Sequence, residues 1–409
     1  MADTPKIRFK GFADAWEQRK LSEIADKVTE KNKNNDFSEP FTNSAELGII
    51  SQKDYFDREV VNQENLDGYY IVRNDDFVYN PRISVTAPVG PINRNRLGRN
   101  GVMSPLYTVF RTHGIDKLYL EFYFKTTSWH RFMKLNGDSG ARFDRFTISS
   151  TQFMEMPIPL PNKEEQRKIG EYFDNLNHLI TLHQHKCDGT KELKRYMLQK
   201  MFPQSGKKNP EIRFAGFTDD WEQRKLGEIA GRTYGGGTPK TSIMEYWDGY
   251  IPWIQSSNLM EHELFNVDIQ KHITDDGLKK SAAQLVPPNS VAVVSHVGVG
   301  KLVFMPFSYT TSQDFISLSE LKADPIFTCY SVYKRLQNDL HIVQGSAIKG
   351  ITKDDLLSKE IMLPSESEQF KIGEYFRHLD HLITLHQRKC DELKEVRKFM
   401  LQNMFPQKG

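Results

Sequence analysis

Residues Gln166–Gln204 read QRKIGEYFDNLNHLITLHQHKCDGTKELKRYMLQKMFPQ, and residues Gln369–Gln407 repeat this stretch with 27 of 39 positions identical. In both copies, seam residues recur at alternating spacings of three and four, which is the pattern of a coiled coil. The seam residues are Phe173, Leu176, Ile180, His183 and Cys187 in one copy, and Phe376, Leu379, Ile383, His386 and Cys390 in the other. We therefore predict two long helices, each roughly 58 Å long at about 1.5 Å per residue.

The sequence also marks where the two helices begin and end. An N-cap residue followed three positions later by an acid is the spacing of a capping box, and proline stops a helix. The capping pairs are Asn162 with Glu165 and Ser365 with Glu368, and the terminating prolines are Pro203 and Pro406. We assign residues 162–204 and 365–409 to two spacer helices.

A second matched block lies at the start of each half of the chain. Residues Ile7–Ala25, IRFKGFADAWEQRKLSEIA, recur as Ile212–Ala230, IRFAGFTDDWEQRKLGEIA, with 15 of 19 positions identical. Between these frames lie two inserts that hardly resemble one another. This pattern indicates equivalent scaffolds that carry different recognition elements. The alternative is a recent duplication followed by random sequence change in surface loops, but such change would also have altered the matched blocks.

The two inserts have the pattern of mixed α+β domains. Short β-rich runs alternate with turns rich in glycine and proline and with a few helical stretches. The clearest strand candidates are 76–79, 106–110, 290–294 and 315–318. We predict two globular domains in tandem, at residues 1–161 and 205–364, each followed by one long helix, with Pro203–Pro210 as the linker.

The composition is that of a globular protein. The chain of 409 residues has 38% hydrophobic and 26% charged residues, and its net charge of +2 says little about partners. No apolar run reaches membrane-spanning length, and the amino terminus lacks the features of a secretory signal. Three scattered cysteines fit a reducing compartment. We therefore expect a cytoplasmic location without membrane contact.

Local charge points to nucleic acid in the first insert. Residues 77–115 contain no acid, although they contain several arginines and asparagines. Arginine and lysine neutralise phosphates, and arginine and asparagine match the edges of bases. Two further arginines lie just before the first long helix. The DNA-binding candidates of this half are Asn80, Arg82, Asn93, Arg94, Asn95, Arg96, Arg99, Arg142 and Arg145.

The second insert contains a corresponding window. Residues 277–313 are also free of acids, and this window overlaps the first one when the repeat offset is added. A loop rich in glycine and threonine, YGGGTPKTS at 234–242, and the run QSSN at 255–258 suit close backbone approach and polar contact. The candidates here are Thr238, Lys240, Ser242, Gln255, Ser256, Ser257, Asn258, His296, Lys301 and Lys349. For any single candidate, an ordinary solvated loop is an equally good interpretation.

Motifs for catalysis are missing from the sequence. A methyltransferase needs a glycine-rich cofactor loop and an Asn-Pro-Pro-aromatic tetrapeptide, whereas residues 79–82 read YNPR, which is typical of a turn. The run GVGK at 298–301 lacks the first glycine and the Ser or Thr of a phosphate-binding loop. We therefore expect a non-catalytic subunit.

A zinc site is a weaker hypothesis. His183 and Cys187 lie four residues apart on one helix, as do His386 and Cys390, and an antiparallel pair would bring all four together. Cysteine also serves as a small buried residue in a seam, and histidine as a polar residue that sets register. We favour the seam interpretation and expect no metal.

The motifs resemble the specificity subunit of type I restriction-modification systems over essentially the whole chain. The resemblance rests on WEQRKLSEIA and WEQRKLGEIA, on LPNKEEQRKIGEYF and LPSESEQFKIGEYF, and on GGGTPKTS, YWDGYIPW and GVMSPLYTVF. It implies two target recognition domains, each reading one half of a split site on double-stranded DNA. It also implies that the two long helices form an antiparallel coiled coil with pseudo-twofold symmetry.

The same resemblance implies partners that supply the chemistry. Two methylation subunits would use S-adenosylmethionine, and two restriction subunits would use ATP and magnesium, so this chain needs no cofactor. The recognition inserts vary within the family, so no base contact can be carried across. The residues expected to face the methylation subunits are Trp16, Ile169, Tyr172, Trp221, Ile372 and Tyr375.

Two other functions compete with this one. A chain that itself cleaves or methylates DNA would need an extra catalytic domain, for which there is no room. The other is a coiled-coil scaffold whose globular domains bind proteins. DNA binding that weakens with salt would favour the recognition function over the scaffold.

Overall fold

The computed structural model describes residues 4–56, 66–139, 144–204, 206–342 and 350–406. The chain forms two compact units. The first unit comprises Met1–Leu182 and Lys389–Gly409, and the second comprises His183–Arg388. Each unit therefore contains one insert and a segment of each long helix.

Nineteen strands are found among the described residues. Those of the first unit are β1 (Glu17–Lys20), β2 (Ala25–Lys27), β3 (Pro40–Ser44), β4 (Gly48–Ser51), β5 (Tyr70–Val72), β6 (Phe77–Tyr79), β7 (Ile92–Arg94), β8 (Gly101–Met103), β9 (Thr108–Thr112) and β10 (Pro157–Leu160). Those of the second unit are β11 (Glu222–Lys225), β12 (Ala230–Gly235), β13 (Trp247–Ile254), β14 (Lys271–Ile273), β15 (Ser290–Val294), β16 (Leu302–Met305), β17 (Thr310–Thr311), β18 (Phe315–Leu321) and β19 (Glu360–Leu363).

Ten α-helices occur in the same described ranges. They are α1 (Gln52–Tyr55), α2 (Lys117–Tyr123), α3 (His130–Asn136), α4 (Ser150–Met154), α5 (Lys163–Lys200), α6 (Leu226–Ile229), α7 (Asp275–Lys279), α8 (Pro325–Ile342), α9 (Lys353–Ser358) and α10 (Glu366–Asn403). The two long helices, α5 and α10, have 38 residues each and end three residues before a proline, as predicted. No helix in the described part of the chain is long and apolar enough to cross a membrane.

The two inserts share one sheet topology although their sequences differ. The first unit has a four-stranded antiparallel sheet in the order β2-β9-β6-β7, and the second unit has β12-β18-β15-β16. The central strands β6 and β15 are buried at every residue, which explains their continuous apolar runs. A second sheet accompanies each, β4-β3-β8-β5 and β14-β13-β17. The prediction of two α+β domains is confirmed.

The long helices run antiparallel within each unit. In the second unit, His183 Nδ1 lies 3.1 Å from His386 Nδ1, and Lys194 Nζ lies 2.6 Å from Asp380 Oδ1. Residue numbers on α10 therefore decrease as those of the facing residues on α5 increase. Most of the predicted seam residues are buried, Phe173, Leu176, Cys187, Phe376, Leu379 and Cys390, and the others are half-buried. The predicted pairing is confirmed.

The structure favours the seam interpretation of the cysteines and histidines. Cys187 Sγ lies 3.8 Å from the carbonyl oxygen of Ile383 and 3.6 Å from Gln387 Oε1. Within the described ranges, no three His, Cys, Asp or Glu residues come close enough together to hold a metal ion.

The residues that follow each long helix anchor it in a core. In the first unit, the Phe405 ring lies 5.9 Å from that of Phe173 and 5.6 Å from that of Tyr119. In the second unit, the Phe202 ring lies 5.6 Å from that of Phe327. The repeated MFP motif therefore serves packing.

Four residues that we predicted to face a partner instead belong to these cores. Trp16 is 6% exposed and Trp221 is 2% exposed, and each packs edge-on against an aromatic ring. Ile169 and Ile372 are each 1% exposed. Their apolar side chains gain more from burial in their own unit, so the structure corrects the prediction for these four. Tyr172 and Tyr375 are half-buried and remain available in part.

Candidate nucleic-acid interface

Each four-stranded sheet ends in a hairpin loop at the same place in its topology. Residues 80–91 join β6 to β7, with Tyr79 opposite Ile92, and residues 295–301 join β15 to β16, with Val293 opposite Leu302. The shared strand order gives the two loops equivalent positions in their own units. We call them the hairpin loops.

A second segment of the chain passes beside each hairpin loop. The backbone N–H of Phe146 donates to the carbonyl of Pro81 at 2.7 Å, and that of Ile351 donates to the carbonyl of Ser295 at 2.7 Å. The sequence placed its second set of candidates in these segments, and the structure brings Arg145 to the hairpin loop. Arg142 and Lys349 lie outside the described residues.

One arginine lies in the hairpin loop of the first unit, and a second lies opposite it in the neighbouring segment. Arg82 and Arg145 are opposite one another in an isolated antiparallel bridge, and both are exposed. Asn80 fixes the backbone beside them, since its Nδ2 donates to the Asn43 carbonyl at 2.8 Å and its Oδ1 accepts from the Arg82 N–H at 2.9 Å. The only carboxylate paired with Arg145 among the described residues is that of Asp144, at 3.9 Å. The loop and the neighbouring segment therefore present two cations to solvent.

Two other arginines of the acid-free window lie at or just after the end of β7, toward the opposite end of the sheet, and are paired with acids. Arg94, at the end of β7, lies 2.7 Å from Glu121 Oε2 and 3.0 Å from Asp75 Oδ1. Arg96 also reaches Glu121, at 2.9 Å, as well as Asp174 at 2.9 Å. These acids come from outside the acid-free window. A stretch without acids in the sequence is therefore not a surface without acids.

Arg99 is neutralised in the same way. Its Nε and Nη2 donate to the two carboxylate oxygens of Glu39, each at 2.8 Å. The hydrogen bond from Arg99 lowers the pKa of Glu39 below its ordinary value, so the acid stays charged beside the guanidinium. Arg94, Arg96 and Arg99 are thus paired with carboxylates in the structure, and their contact with DNA stays a prediction.

Two asparagines of the first insert are structural. Asn93 is 4% exposed and donates to Asn43 Oδ1 at 2.6 Å. Asn95 is fully buried, and its amide group donates to the carbonyls of Arg73 and Arg99 at 3.0 and 2.9 Å. Buried amides must find partners inside the fold. Their predicted contact with bases is therefore corrected as well.

The candidates of the second unit converge on one end of its sheet. Thr238 Oγ1 donates to Gln313 Oε1 at 2.9 Å, and the backbone N–H of Ser295 donates to the Asp314 carbonyl at 2.7 Å. The loop at 236–242, the turn at 312–314 and the hairpin loop therefore lie side by side. The exposed candidates are Thr238, Lys240, Ser242, Ser257 and His296, and the half-buried ones are Gln255, Ser256 and Lys301.

Two features of this unit have structural explanations. Asn258 is 5% exposed, and its Oδ1 accepts from the Gln255 N–H at 2.8 Å, so it caps its own turn and is not available as predicted. A Cβ at Gly236 would lie 1.7 Å from the Ser312 carbonyl oxygen. The absence of a side chain at Gly236 therefore allows this loop to lie against the turn at 312–314. The sequence predicts close approach to a ligand instead.

The hairpin loop of the second unit carries a histidine and a lysine. Lys301 Nζ donates to the Leu259 carbonyl at 3.0 Å, and His296 Nδ1 lies 3.0 Å from Ser295 Oγ. Gly298 and Gly300 have positive φ angles of 89° and 94°, which let the chain turn sharply between these two side chains.

Two segments of the chain, residues 13–189 and 218–395, match the model of the type I restriction modification DNA specificity domain. The chain belongs to this family. The two matches include both inserts and most of both long helices. The predicted resemblance is confirmed.

Relatives in the family are distant. The chain is 28% identical over 195 residues to the MjaIX specificity subunit of a type I restriction enzyme from Methanocaldococcus jannaschii, across 46% of this chain and 44% of that protein. It is 26% identical over 250 residues to a type I specificity subunit from Escherichia coli, across 58% of each. The chain thus spans about half the length of these relatives.

Solved structures have the same fold. The S subunit of a type I restriction-modification system from M. genitalium covers 99% of this chain and 100% of its own, with a TM-score of 0.63 and 13% identity. A chain from a study of complex assembly in a type I system covers 97% of this chain and 99% of its own, with a TM-score of 0.51 and 14% identity.

Sequence reasoning missed a set of exposed apolar residues on the long helices of this specificity-family chain. In the first unit, Leu182, Val396 and Phe399 are 38%, 44% and 56% exposed. Their repeat counterparts in the second unit are Leu385, Leu193 and Tyr196, at 50%, 44% and 49%. We call these the outer apolar sets. Apolar residues kept in both copies but outside the seam are the signal that would have revealed them.

Proposed function

We propose that this chain is the DNA sequence-recognition subunit of a type I restriction-modification complex, with a bipartite target and one half-site for each unit. The observation that carries this proposal is that two inserts of unlike sequence have one strand order and end in equivalent hairpin loops. A shared scaffold explains two equivalent modes of docking. Unlike loops explain two different half-sites.

The chemistry of the hairpin loops suits DNA. Arg82 lies in one hairpin loop with Arg145 opposite it in the neighbouring segment, and the other loop contains His296 and Lys301. Cations at the loop release counterions from phosphates, which supplies affinity, while arginine and polar side chains match the edges of bases. The exposed polar candidates Thr238, Lys240 and Ser242 extend the surface of the second unit.

In this proposal the chain binds and scaffolds but does not catalyse. The methylation partners would hold S-adenosylmethionine, and the restriction partners would hold ATP and magnesium. We propose two copies of each partner, since the chain offers two matched frames. The complex would act in the cytoplasm, where the DNA lies.

The outer apolar sets are the proposed docking sites for the two methylation subunits. Contiguous apolar patches on a surface mark protein interfaces, and apolar residues kept exposed in both copies are the candidates for such patches here. The two sets occupy repeat-equivalent positions, one in each unit, as two identical partners require. A scaffold that binds only proteins would also use these sets, so DNA binding must be tested separately.

The first experiment measures binding of the assembled complex to its target across a series of salt concentrations. Methylation mapping of the host genome identifies the target. Replacing Arg82 and Arg145 together by Ala should reduce affinity and lower the salt slope by about 1.8, at roughly 0.9 for each phosphate contact. Arg99→Ala is the matched control, because its charge is already paired with Glu39, and it should leave the slope unchanged. Binding that does not respond to salt would contradict DNA recognition.

The second experiment counts methylation subunits bound to the chain by light scattering after chromatography. Phe399→Asp should leave one copy bound, Tyr196→Asp should also leave one, and the two changes together should leave none. Burying a carboxylate against an apolar partner should weaken docking by about 30-fold or more, typical of an interface hot spot.

Phe370→Asp serves as the control for docking. This ring is 59% exposed on α10, but its repeat counterpart is Arg167, so it does not belong to a duplicated set. Two copies should remain bound to this variant. Retention of two copies by the Phe399 and Tyr196 double variant would rule out the outer apolar sets as docking sites.

A further inference from the structure

A valine projects into solvent at the tip of each hairpin loop. Val85 is 102% exposed in the first unit, and Val297 is 72% exposed in the second. A single exposed valine is ordinary on a protein surface. The same residue type at the same place in two inserts of unlike sequence is a different observation, because shared topology alone does not determine it.

Hydrogen bonds shape both tips. The Ser84 N–H donates to the Ala87 carbonyl, and the Ala87 N–H donates back to Ser84, both at 3.1 Å. In the second unit, the Lys301 N–H donates to the Gly298 carbonyl at 3.3 Å, which closes the turn that directly follows Val297. Because valine is branched at Cβ and has few rotamers, a contact made from such a turn costs little conformational entropy.

Each hairpin loop has a cationic side chain in it. Arg82 lies at the base of the first loop, opposite Arg145, and Lys301 ends the second loop, four residues after Val297. An apolar tip on a loop that also carries a positive side chain matches the major groove of DNA, where phosphates line both edges and the apolar group displayed by a base is the C5 methyl of thymine.

We propose that Val85 and Val297 each contact a thymine methyl group in the major groove, one in each half-site, and thereby specify an A·T pair at that position. This inference rests on the proposed function in DNA recognition. A β-branched apolar side chain has no group for hydrogen bonding to a base, so a methyl is the feature of the base edge that it can select.

The test measures binding of the assembled complex to target duplexes in which each thymine is replaced in turn by deoxyuridine, which lacks only the methyl. The unaltered protein should lose about fourfold in affinity at one thymine in each half-site, as expected for one buried methyl group. Val85→Ala should lose a similar factor on the natural duplex and become indifferent to deoxyuridine in one half-site alone. Val297→Ala should do the same in the other half-site, so each variant is the control for the other.

The possible outcomes separate this inference from the proposed function. Loss of affinity in Val85→Ala that is equal on thymine and deoxyuridine duplexes would indicate insertion between bases or another apolar contact, and would overturn the methyl contact. Variants that bind every duplex as the unaltered protein does would overturn it too. Absence of salt-sensitive binding by the unaltered protein would instead contradict DNA recognition itself.

Discussion

Replacing Asp380 by Asn is expected to lower the free energy of unfolding by about 3 to 5 kcal/mol, as when one partner of a buried ion pair is removed. Lys194 is 7% exposed, and its Nζ lies 2.6 Å from Asp380 Oδ1. The Tyr330 hydroxyl donates to the other carboxylate oxygen, and burial raises the pKa of Tyr330, so it remains a donor. Asn keeps the size of the side chain but leaves the ammonium group of Lys194 without a counter-charge.

Urea unfolding monitored by tryptophan fluorescence measures this loss. The double variant Lys194→Met with Asp380→Leu should lie close to the unaltered protein, because removing both charges also removes both desolvation costs. Asn177→Ala is the matched control in the first unit, where Arg397 Nη1 donates to Asn177 Oδ1 at 2.7 Å. Its neutral acceptor should contribute less, about 1.5 to 3 kcal/mol. A loss below 1 kcal/mol in Asp380→Asn would show that the pair is dispensable.

The long helices could be predicted because their signals are local. Seam spacing and terminating prolines fall within a few residues of the elements that they specify. Asn162 caps α5 as predicted, since its Oδ1 accepts from the Glu165 N–H at 2.9 Å. The carboxylate of Glu165, however, pairs with Arg8, which lies 157 positions earlier. A capping pattern cannot reveal a partner so distant in sequence.

The arrangement of the candidate arginines could be predicted only in part for the same reason. The acid-free window included Arg82, which lies opposite Arg145 beside the hairpin loop. It also included Arg94 and Arg99, whose acids come from α2 and from the residue just before β3. Charge along a sequence indicates nothing about neighbours in space. Only the structure showed which arginines are held in close ion pairs, such as Arg94 and Arg99, and which have at most a long contact with an acid, such as Arg145.

Residues that are identical in the two copies predicted the core of each unit better than they predicted the surfaces that contact partners. Trp16 and Trp221 occur in both frames because each unit needs the same core, and each is nearly buried. A residue can be identical in both copies because it packs in the core or because it contacts a partner, and sequence identity alone does not distinguish these two reasons. Exposure separates them: residues such as Phe399 and Tyr196 are kept apolar on the outside of a helix, where packing does not require it.

A buried arginine–glutamate pair in each frame leads to the second large effect. Arg213 Nε and Nη2 donate to the two carboxylate oxygens of Glu368 at 2.7 and 2.8 Å, and Glu368 is fully buried. Arg8 and Glu165 make the same bidentate pair in the first unit, at 2.8 and 2.7 Å. Bidentate pairs between arginine and carboxylate are among the stronger hydrogen-bonded contacts.

Glu368→Gln should therefore lower the free energy of unfolding by about 3 to 5 kcal/mol, because the charge of Arg213 would remain in a nearly closed site without its counter-ion. Arg213 donates both hydrogen bonds, and a guanidinium group stays protonated in a protein, so the arginine cannot escape the penalty by losing its proton. Urea unfolding measures the change, and Glu165→Gln should give a similar value because its geometry is the same. Glu374→Gln, which breaks an exposed contact with Arg377 at 3.2 Å, should change stability by less than about 0.5 kcal/mol. If Glu368→Gln costs no more than this control, the paired arginine is not what fixes the frame to the start of α10.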